Sequence, residues 1–300
     1  MTPLVLFFED EAGPANAFAA EAGLEAQQVT RHRFPDRELR LTLPFTEGEI
    51  PRQLVVYRSL DRPNEKLVEL LLIARHARQQ GVQSLILVAP YLAYMRQDIA
   101  FNPGEIVSQK IVGGFLGELF DGVVTVDPHL HRIERLEQAI PIPHAVALSG
   151  APILAELVAQ QRQHPLLMGP DAESAQWVEA AAARQGFDHG VCSKVRHGDR
   201  QVEVKLPAMD VTGREVVLLD DVASSGRTLA RAAEQLLAAG ARSVDVAVTH
   251  ALFADDALEV IRRAGVGQVW STDCIAHASN AISMAPALAE AVLAILTEQD

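Results

Sequence analysis

Short apolar runs alternate along this chain with longer stretches in which apolar residues recur every three or four positions. Leu4 to Phe8 predicts a first strand, Ala15 to Ala22 a short helix, and Gln28 to Arg33 a further strand. Leu39, Leu41 and Leu43 alternate with polar residues, the period of a half-buried strand, and Leu54 to Tyr57 is another strand. Asn64 to Gln80 reads as a helix with Leu67, Leu70, Leu71 and Ala74 on one face and Gly81 after it. Leu85 to Ala89 is a wholly apolar strand, Tyr91 to Glu105 a loop of mixed charge, Val107 to Phe120 a helix, and Val123 to Val126 a strand ending at Asp127. Further on, Val216 to Leu219 predicts a buried strand. After it Thr228 stands where it can cap a helix carrying Leu229, Ala232, Ala233, Leu236 and Leu237 on one face, closed by Gly240.

The pattern repeats. Gly81 to Val88 matches Gly240 to Ala247, each run following a helix, and Val123 to Asp127 matches Val269 to Asp273. Leu54 to Tyr57 then corresponds to Val216 to Leu219. An α/β domain has been duplicated, with a first domain over residues 1–146 and a second over 147–284, joined near the prolines of Ile140-Pro141-Ile142-Pro143. Strands alternating with helices predict a mainly parallel sheet covered on both faces, with ligands at the carboxyl ends of the strands.

Composition narrows the classes. With 300 residues, 49% hydrophobic and 22% charged, the chain suffices for two cores. A formal charge of −13 argues against a general nucleic-acid or anionic-membrane surface. Two cysteines, Cys192 and Cys274, make no disulfide framework, the first twenty residues have no basic n-region, and no apolar run reaches a membrane span of about 18 residues. A reducing, cytoplasmic setting is expected.

The chemistry is densest at Val216 to Gly240. The apolar strand leads to adjacent carboxylates, Asp220 and Asp221, and then to small and hydroxyl residues, Ser224, Ser225, Gly226, Arg227 and Thr228. Backbone amides of a tight loop and the positive end of a helix cradle phosphate, while the acids would repel it and instead suit hydroxyls or a metal ion beside it. A sugar phosphate meets both demands; an ordinary αβ turn with solvated acids uses the same residues. In the first repeat Arg58-Ser59 replaces the acid pair, so one such site per chain is expected. Arg96-Gln97-Asp98 offers a phosphate fork, an amide and an acid after a strand, as a solvated loop also would. Lys194 and Arg196 lie two apart, suited to gripping a polyphosphate ahead of a mobile polar run from His197 to Gln201, or to an exposed hairpin. Cys192 reads as a packing residue. Asp127 with His129 and His131 places acid and imidazole at a strand end, but no further ligand of matching zinc spacing is evident.

These residues resemble a known family. Val217-Leu218-Leu219-Asp220-Asp221 followed by Ser225-Gly226-Arg227-Thr228 is similar to the 5-phosphoribosyl-1-pyrophosphate (PRPP) loop of type I phosphoribosyltransferases and PRPP synthetases. Pro90-Tyr91 with Tyr94, Arg96-Gln97-Asp98 and Pro103-Gly104-Glu105 resembles a synthetase stretch that the transferases lack. Phe34-Pro35-Asp36-Arg37-Glu38 looks like the family's adenine loop, with Arg37 where glycine is usual. His129 in Asp127-Pro128-His129, Asp171 in Gly169-Pro170-Asp171, Lys194-Val195-Arg196 and the closing run from Ser283 match further family segments.

The resemblance implies two tandem phosphoribosyltransferase-like α/β domains, with residues 285–300 forming a helix that joins the first. It implies a ribose-phosphate diphosphokinase, moving the β,γ-diphosphoryl group of ATP to the 1-hydroxyl of ribose 5-phosphate to give PRPP and AMP for nucleotide biosynthesis. By the same resemblance, Asp220, Asp221, Ser224, Ser225, Gly226, Arg227 and Thr228 hold ribose 5-phosphate. Phe34, Asp36, Glu38, Arg96, Gln97, Asp98 and His129 hold ATP, and His129 and Asp171 hold Mg2+. Lys194 and Arg196 are catalytic. Phe34, Asp36 and Glu38 serve a neighbouring subunit's nucleotide, which implies a homo-oligomer of at least two chains. The alternatives are a non-catalytic regulatory paralogue and a PRPP-consuming phosphoribosyltransferase.

Overall fold

The computed structural model describes residues 2–45, 51–130, 132–197 and 201–298; of residues 194–197 and 201–203 it describes the backbone alone. The chain divides into two compact units, Met1–Leu148 with Met284–Asp300, and Ser149–Ser283.

The first unit runs β1 (Leu4–Phe7), α1 (Ala12–Ala22), β2 (Glu25–Gln28), β3 (Thr30–Arg33), β4 (Leu39–Thr42), β5 (Gln53–Tyr57), α2 (Pro63–Gln79), β6 (Ser84–Val88), α3 (Ser108–Leu119), β7 (Gly122–Val126) and β8 (His144–Leu148). Its sheet has the order β2-β1-β5-β6-β7-β8, every pair parallel, with β3 and β4 forming a separate antiparallel hairpin. The second unit runs α4 (Ala151–Gln161), β9 (Leu166–Gly169), α5 (Ala175–Gln185), β10 (Asp188–Val191), β11 (Ser193–His197), β12 (Gln201–Lys205), β13 (Glu215–Ala223), α6 (Arg227–Ala238), β14 (Ser243–Ala251), α7 (Ala257–Arg263), β15 (Val269–Thr272) and β16 (Asn280–Ile282). Its sheet, β10-β9-β13-β14-β15-β16, is again all parallel, and β11 and β12 form the hairpin. The final helix, α8 (Ala285–Glu298), belongs to the first unit and packs on α1.

The central strands are apolar without alternation because helices cover both faces. Val55, Val56, Ile86 and Leu87 are fully buried in one sheet, and Val217, Leu218, Val246 and Ala247 in the other. The duplication holds to the residue. Leu54 faces Leu4 and Leu85 in its sheet as Val216 faces Leu166 and Val244 in the other, and Val123 faces Leu87 as Val269 faces Val246. This register sets Arg58 and Ser59 against Asp220 and Asp221.

Three local expectations are corrected. The strand predicted over Gln28 to Arg33 is two strands in different sheets: the Val29 amide donates to the Phe7 carbonyl at 2.8 Å, and the chain then leaves for the hairpin. The inner face of α2 buries Lys66 and Glu69 beside Leu70, Ile73, Ala74 and Ala77, while Leu67 and Leu71 are only partly buried. Ion pairs to Arg58 and Glu11 make that rotation possible. Strand β13 does not stop at Leu219; it continues through both aspartates to Ala223, still paired with β14.

Candidate functional site

The site in the second unit is built where β13 turns into α6. Asp220 is half-buried and Asp221 is buried, and the Asp220 carboxylate accepts the Asp221 amide at 3.0 Å. The carbonyls of Ala223 and Ser224 are taken up by the amides of Phe253 (2.8 Å) and Ala254 (3.0 Å), which anchors the turn to the segment after β14. Gly226, not Thr228, is the N-cap. It sits at φ +68 with no side-chain cap, so α6 starts at Arg227 and Thr228 lies inside its first turn. The helix start is left uncapped by side chains, as a phosphate-binding end requires. Ser225 and Arg227 are exposed; Ser224 and Thr228 are half-buried.

A third acid joins the pair. Strands β9 and β13 are parallel neighbours, so the turn after β9 delivers Asp171 beside the end of β13. Asp171 caps the turn that follows: its Oδ1 accepts the Glu173 amide at 3.0 Å and its carbonyl the Ser174 hydroxyl at 2.6 Å. Gly169 is obligatory there, since a Cβ would lie 2.3 Å from Ser174 Oγ. Burial pushes the Asp220 carboxyl well above the usual carboxylate range, and the charges of Asp221 and Asp171 push it the same way. An Asp220 carboxyl raised in this way, with two more acids beside it, suits a cation. Their oxygen-only donors suit Mg2+, which keeps waters and substrate phosphate oxygens in its shell. Among the described residues no three His, Cys, Asp or Glu side chains stand close enough together to hold a metal ion by themselves, so these acids do not form a complete cage. Cys192 is buried, and burial first and Asp171 second push its thiol up to about 12, so it is a packing residue and not a nucleophile.

In the first unit the corresponding strand end is filled by the protein itself. Arg58, 1% exposed, donates from Nε to Glu69 at 2.8 Å and pairs with Asp10 at 3.0 Å and Glu11 at 3.1 Å. Lys66 donates to Glu11 at 2.9 Å and to the Ser59 carbonyl at 2.7 Å, and also pairs with Asp61. A guanidinium stands at the register position of Asp220, with an ammonium beside it.

The nucleotide residues predicted from the sequence also lie in the first unit. Arg96, Gln97 and Asp98 follow β6, and His129 follows the neighbouring β7, so both segments emerge at the same edge of the sheet. Arg96 is exposed; Gln97 donates to the Ile99 carbonyl at 3.0 Å; His129 is half-buried. Asp98 is buried and held by Arg132, whose Nη1 lies 2.7 and 2.8 Å from the two carboxylate oxygens. Sequence reasoning missed Arg132; its place five residues after Asp127, in the loop of His129, was the available signal. Phe34, Asp36 and Glu38 ride the exposed β3–β4 turn. Asp36 accepts the Glu38 amide at 3.1 Å, and Arg37 adopts φ +74. The left-handed backbone that glycine would favour is therefore kept with arginine in place. Lys194 and Arg196 lie on β11, but their side chains and residues 198–200 lie outside the described residues.

Two family models cover most of the chain: the N-terminal domain of ribose phosphate pyrophosphokinase matches residues 5–119, and the phosphoribosyl transferase domain matches residues 142–263. The ribose-phosphate pyrophosphokinase of Methanopyrus kandleri is 32% identical over 91% of this chain and 93% of its own. That of Halobacterium salinarum is 33% identical over 93% and 96%. The chain belongs to the ribose-phosphate pyrophosphokinase family. A crystal structure of phosphoribosylpyrophosphate synthetase from Mycobacterium smegmatis superimposes with a TM-score of 0.82 over 99% of each chain at 20% identity, a likeness of fold. The family's two α/β domains are thus the two parallel sheets described above. No described helix is long and apolar enough to cross a membrane.

Proposed function

We propose that this chain is a ribose-phosphate diphosphokinase acting on ATP and ribose 5-phosphate with Mg2+. The observation that carries the reading is the Asp220-Asp221 pair near the end of β13, ahead of the uncapped start of α6, with Asp171 following the parallel neighbour β9. In this reading the first amides of α6 and the hydroxyls of Ser224, Ser225 and Thr228 hold the 5-phosphate, and Asp220 and Asp221 hold the ribose hydroxyls. Gly226 lets the loop approach the phosphate, and Arg227 lies at its exposed edge. Full-length likeness to proteins named ribose-phosphate pyrophosphokinase supports the same assignment.

ATP lies against Arg96, Gln97, Asp98 and His129, with Phe34, Asp36 and Glu38 supplied by a neighbouring chain, so the active form is at least a dimer. Asp171 in the second unit and His129 in the first would each serve as a Mg2+ ligand, and the ion would supply neutralisation of phosphate charge. The 1-hydroxyl oxygen forms a bond to the β-phosphorus as the bond from that phosphorus to the α,β-bridging oxygen breaks. AMP departs with the bridging oxygen, and the hydroxyl proton goes to solvent. Such transfer depends on alignment and charge neutralisation, the part given to Lys194 and Arg196.

Phosphorus NMR of the protein with ATP, Mg2+ and ribose 5-phosphate tests the reading. AMP appearing together with a diphosphate bonded to C1 is the expected result. ATP and ribose 5-phosphate persisting unchanged would overturn it.

A further inference from the structure

The hairpin that carries Phe34, Asp36 and Glu38 has little of its own to hold it. Its two strands have four residues each and stand outside the main sheet, and one two-stranded ribbon is marginal in water. Leu41 of β4 packs partly buried against the core, and the rest of the fastening on the β3 side is electrostatic. Arg31 and Arg33, two apart on β3, share one face of the strand, and Glu69 and Glu65, four apart on α2, share one face of the helix. The spacings match: Arg31 Nη1 meets Glu69 at 2.6 Å, and Arg33 makes a two-pronged contact with Glu65 at 2.9 and 2.7 Å. The opposite face of the strand carries His32 and Phe34, whose rings meet edge to face at 4.8 Å, with the Arg40 guanidinium 5.9 Å from the Phe34 ring.

The inner rung of this ladder reaches the strand end that corresponds to the acid pair of the second unit. Glu69, fully buried, also receives Arg58, and Asp10 closes a ring by pairing with Arg58 at 3.0 Å and Arg31 at 3.3 Å. Both guanidinium groups lie over the Phe8 ring, at 4.3 and 5.3 Å. Arg58 occupies the register position of Asp220. The residue that stands in place of the first acid thus shares Glu69 and Asp10 with Arg31 of the hairpin.

We propose that Arg31 and Arg33, paired with Glu69 and Glu65 on α2, are positioning residues for nucleotide binding, with Arg58 holding in place the two acids, Glu69 and Asp10, that receive Arg31. This rests on the assignment of Phe34, Asp36 and Glu38 to ATP made above. The ladder fixes one face of the hairpin to α2 so that the Phe34 face is held out toward the nucleotide. Ribose 5-phosphate, bound in the other unit, does not depend on it.

The outer rung tests this without endangering the core, since Arg33 and Glu65 are both exposed. Steady-state kinetics and ATP calorimetry are run on the full chain for wild type, Arg33→Glu, Glu65→Arg and the double exchange. Each single variant should raise the KM for ATP about five- to tenfold, leave kcat and the KM for ribose 5-phosphate within twofold, and leave the thermal midpoint unchanged. The double exchange should restore most of the ATP affinity. An ATP KM within twofold of wild type, a parallel rise in the ribose 5-phosphate KM, or no recovery in the double exchange would overturn the proposal. Should wild type turn nothing over, the activity assigned above fails, and calorimetric ATP affinity then decides the ladder on its own. Equal affinity in wild type and Arg33→Glu, or no ATP binding by either, counts against it.

Discussion

Replacing Gly226 by alanine separates two costs that meet at the start of α6. The first is conformational: at φ +68 a side chain is strained, by about 1–2 kcal/mol. The second is steric. A Cβ would lie 2.9 Å from the Ala257 carbonyl oxygen and 2.9 Å from Ile261 Cδ1 and Cγ1. Ala257 and Ile261 are fully buried, so neither yields freely, and overpacking of this kind costs about 1–3 kcal/mol. Together the loss should be about 2–5 kcal/mol. Gly213 supplies the control: it has φ +71, but a Cβ added there would meet nothing within 4 Å, so Gly213→Ala should lose the conformational part alone. The chain's two tryptophans, Trp177 and Trp270, both lie buried in the second unit, so fluorescence during urea unfolding reports that unit. Gly226→Ala should lower the unfolding free energy by at least about 1 kcal/mol more than Gly213→Ala. Equal losses in the two variants would refute the close approach to α7, and an unchanged midpoint in both would refute the strain argument as well.

Other outcomes follow from the same geometry. Asp220 holds its proton to higher pH in the folded chain than in the unfolded one, so its destabilising charge is absent in strong acid and grows as pH rises through the folded value. Asp220→Asn should therefore melt higher than the unliganded wild type at neutral pH, with the gap closing as pH falls below the ordinary 3.8; equal melting at neutral pH would contradict this. Arg58→Ala takes one of two cationic partners from each of Glu69 and Glu11, leaving Arg31 and Lys66 in place, and should cost at most about 3–5 kcal/mol in the first unit, measured by circular dichroism during unfolding. Lys194→Ala and Arg196→Ala should each lower kcat about a hundredfold or more, as for a lost transition-state donor, with ribose 5-phosphate affinity by calorimetry nearly unchanged; losses in affinity alone would remove them from catalysis.

The duplicated scaffold was legible because parallel strands buried on both faces write themselves as unbroken apolar runs, and Leu85 to Val88 could be laid on Val244 to Ala247 by eye. What stayed hidden was what three dimensions add to charge. Lys66 and Glu69 look like solvated helix residues until Arg58 and Glu11 are seen beside them. Asp171 lies 49 residues before Asp220, and only the crossover that makes β9 the neighbour of β13 brings their charges together. Thr228 looked like a cap because hydroxyls favour that position. Gly226 took it because the chain turns there through a left-handed conformation against α7.

The return of α8 to the first unit bears on how the chain is made. On α1, Ala15, Phe18 and Ala22 are buried, and α8, which packs on that helix and on the sheet, buries Leu288, Val292 and Ile295. Translation places the whole of Ser149–Ser283 between those two helices. At about 5–20 residues per second, α1 waits roughly 7–27 s on the ribosome for its partner after the first unit's last strand has emerged. During that interval the second unit, contiguous in sequence, can close, while the first, though begun earlier, cannot. The half of the molecule synthesised first is therefore the half completed last, and a ribosome that stalls anywhere in the second unit leaves the apolar side of α1 open to chaperones and to other nascent chains.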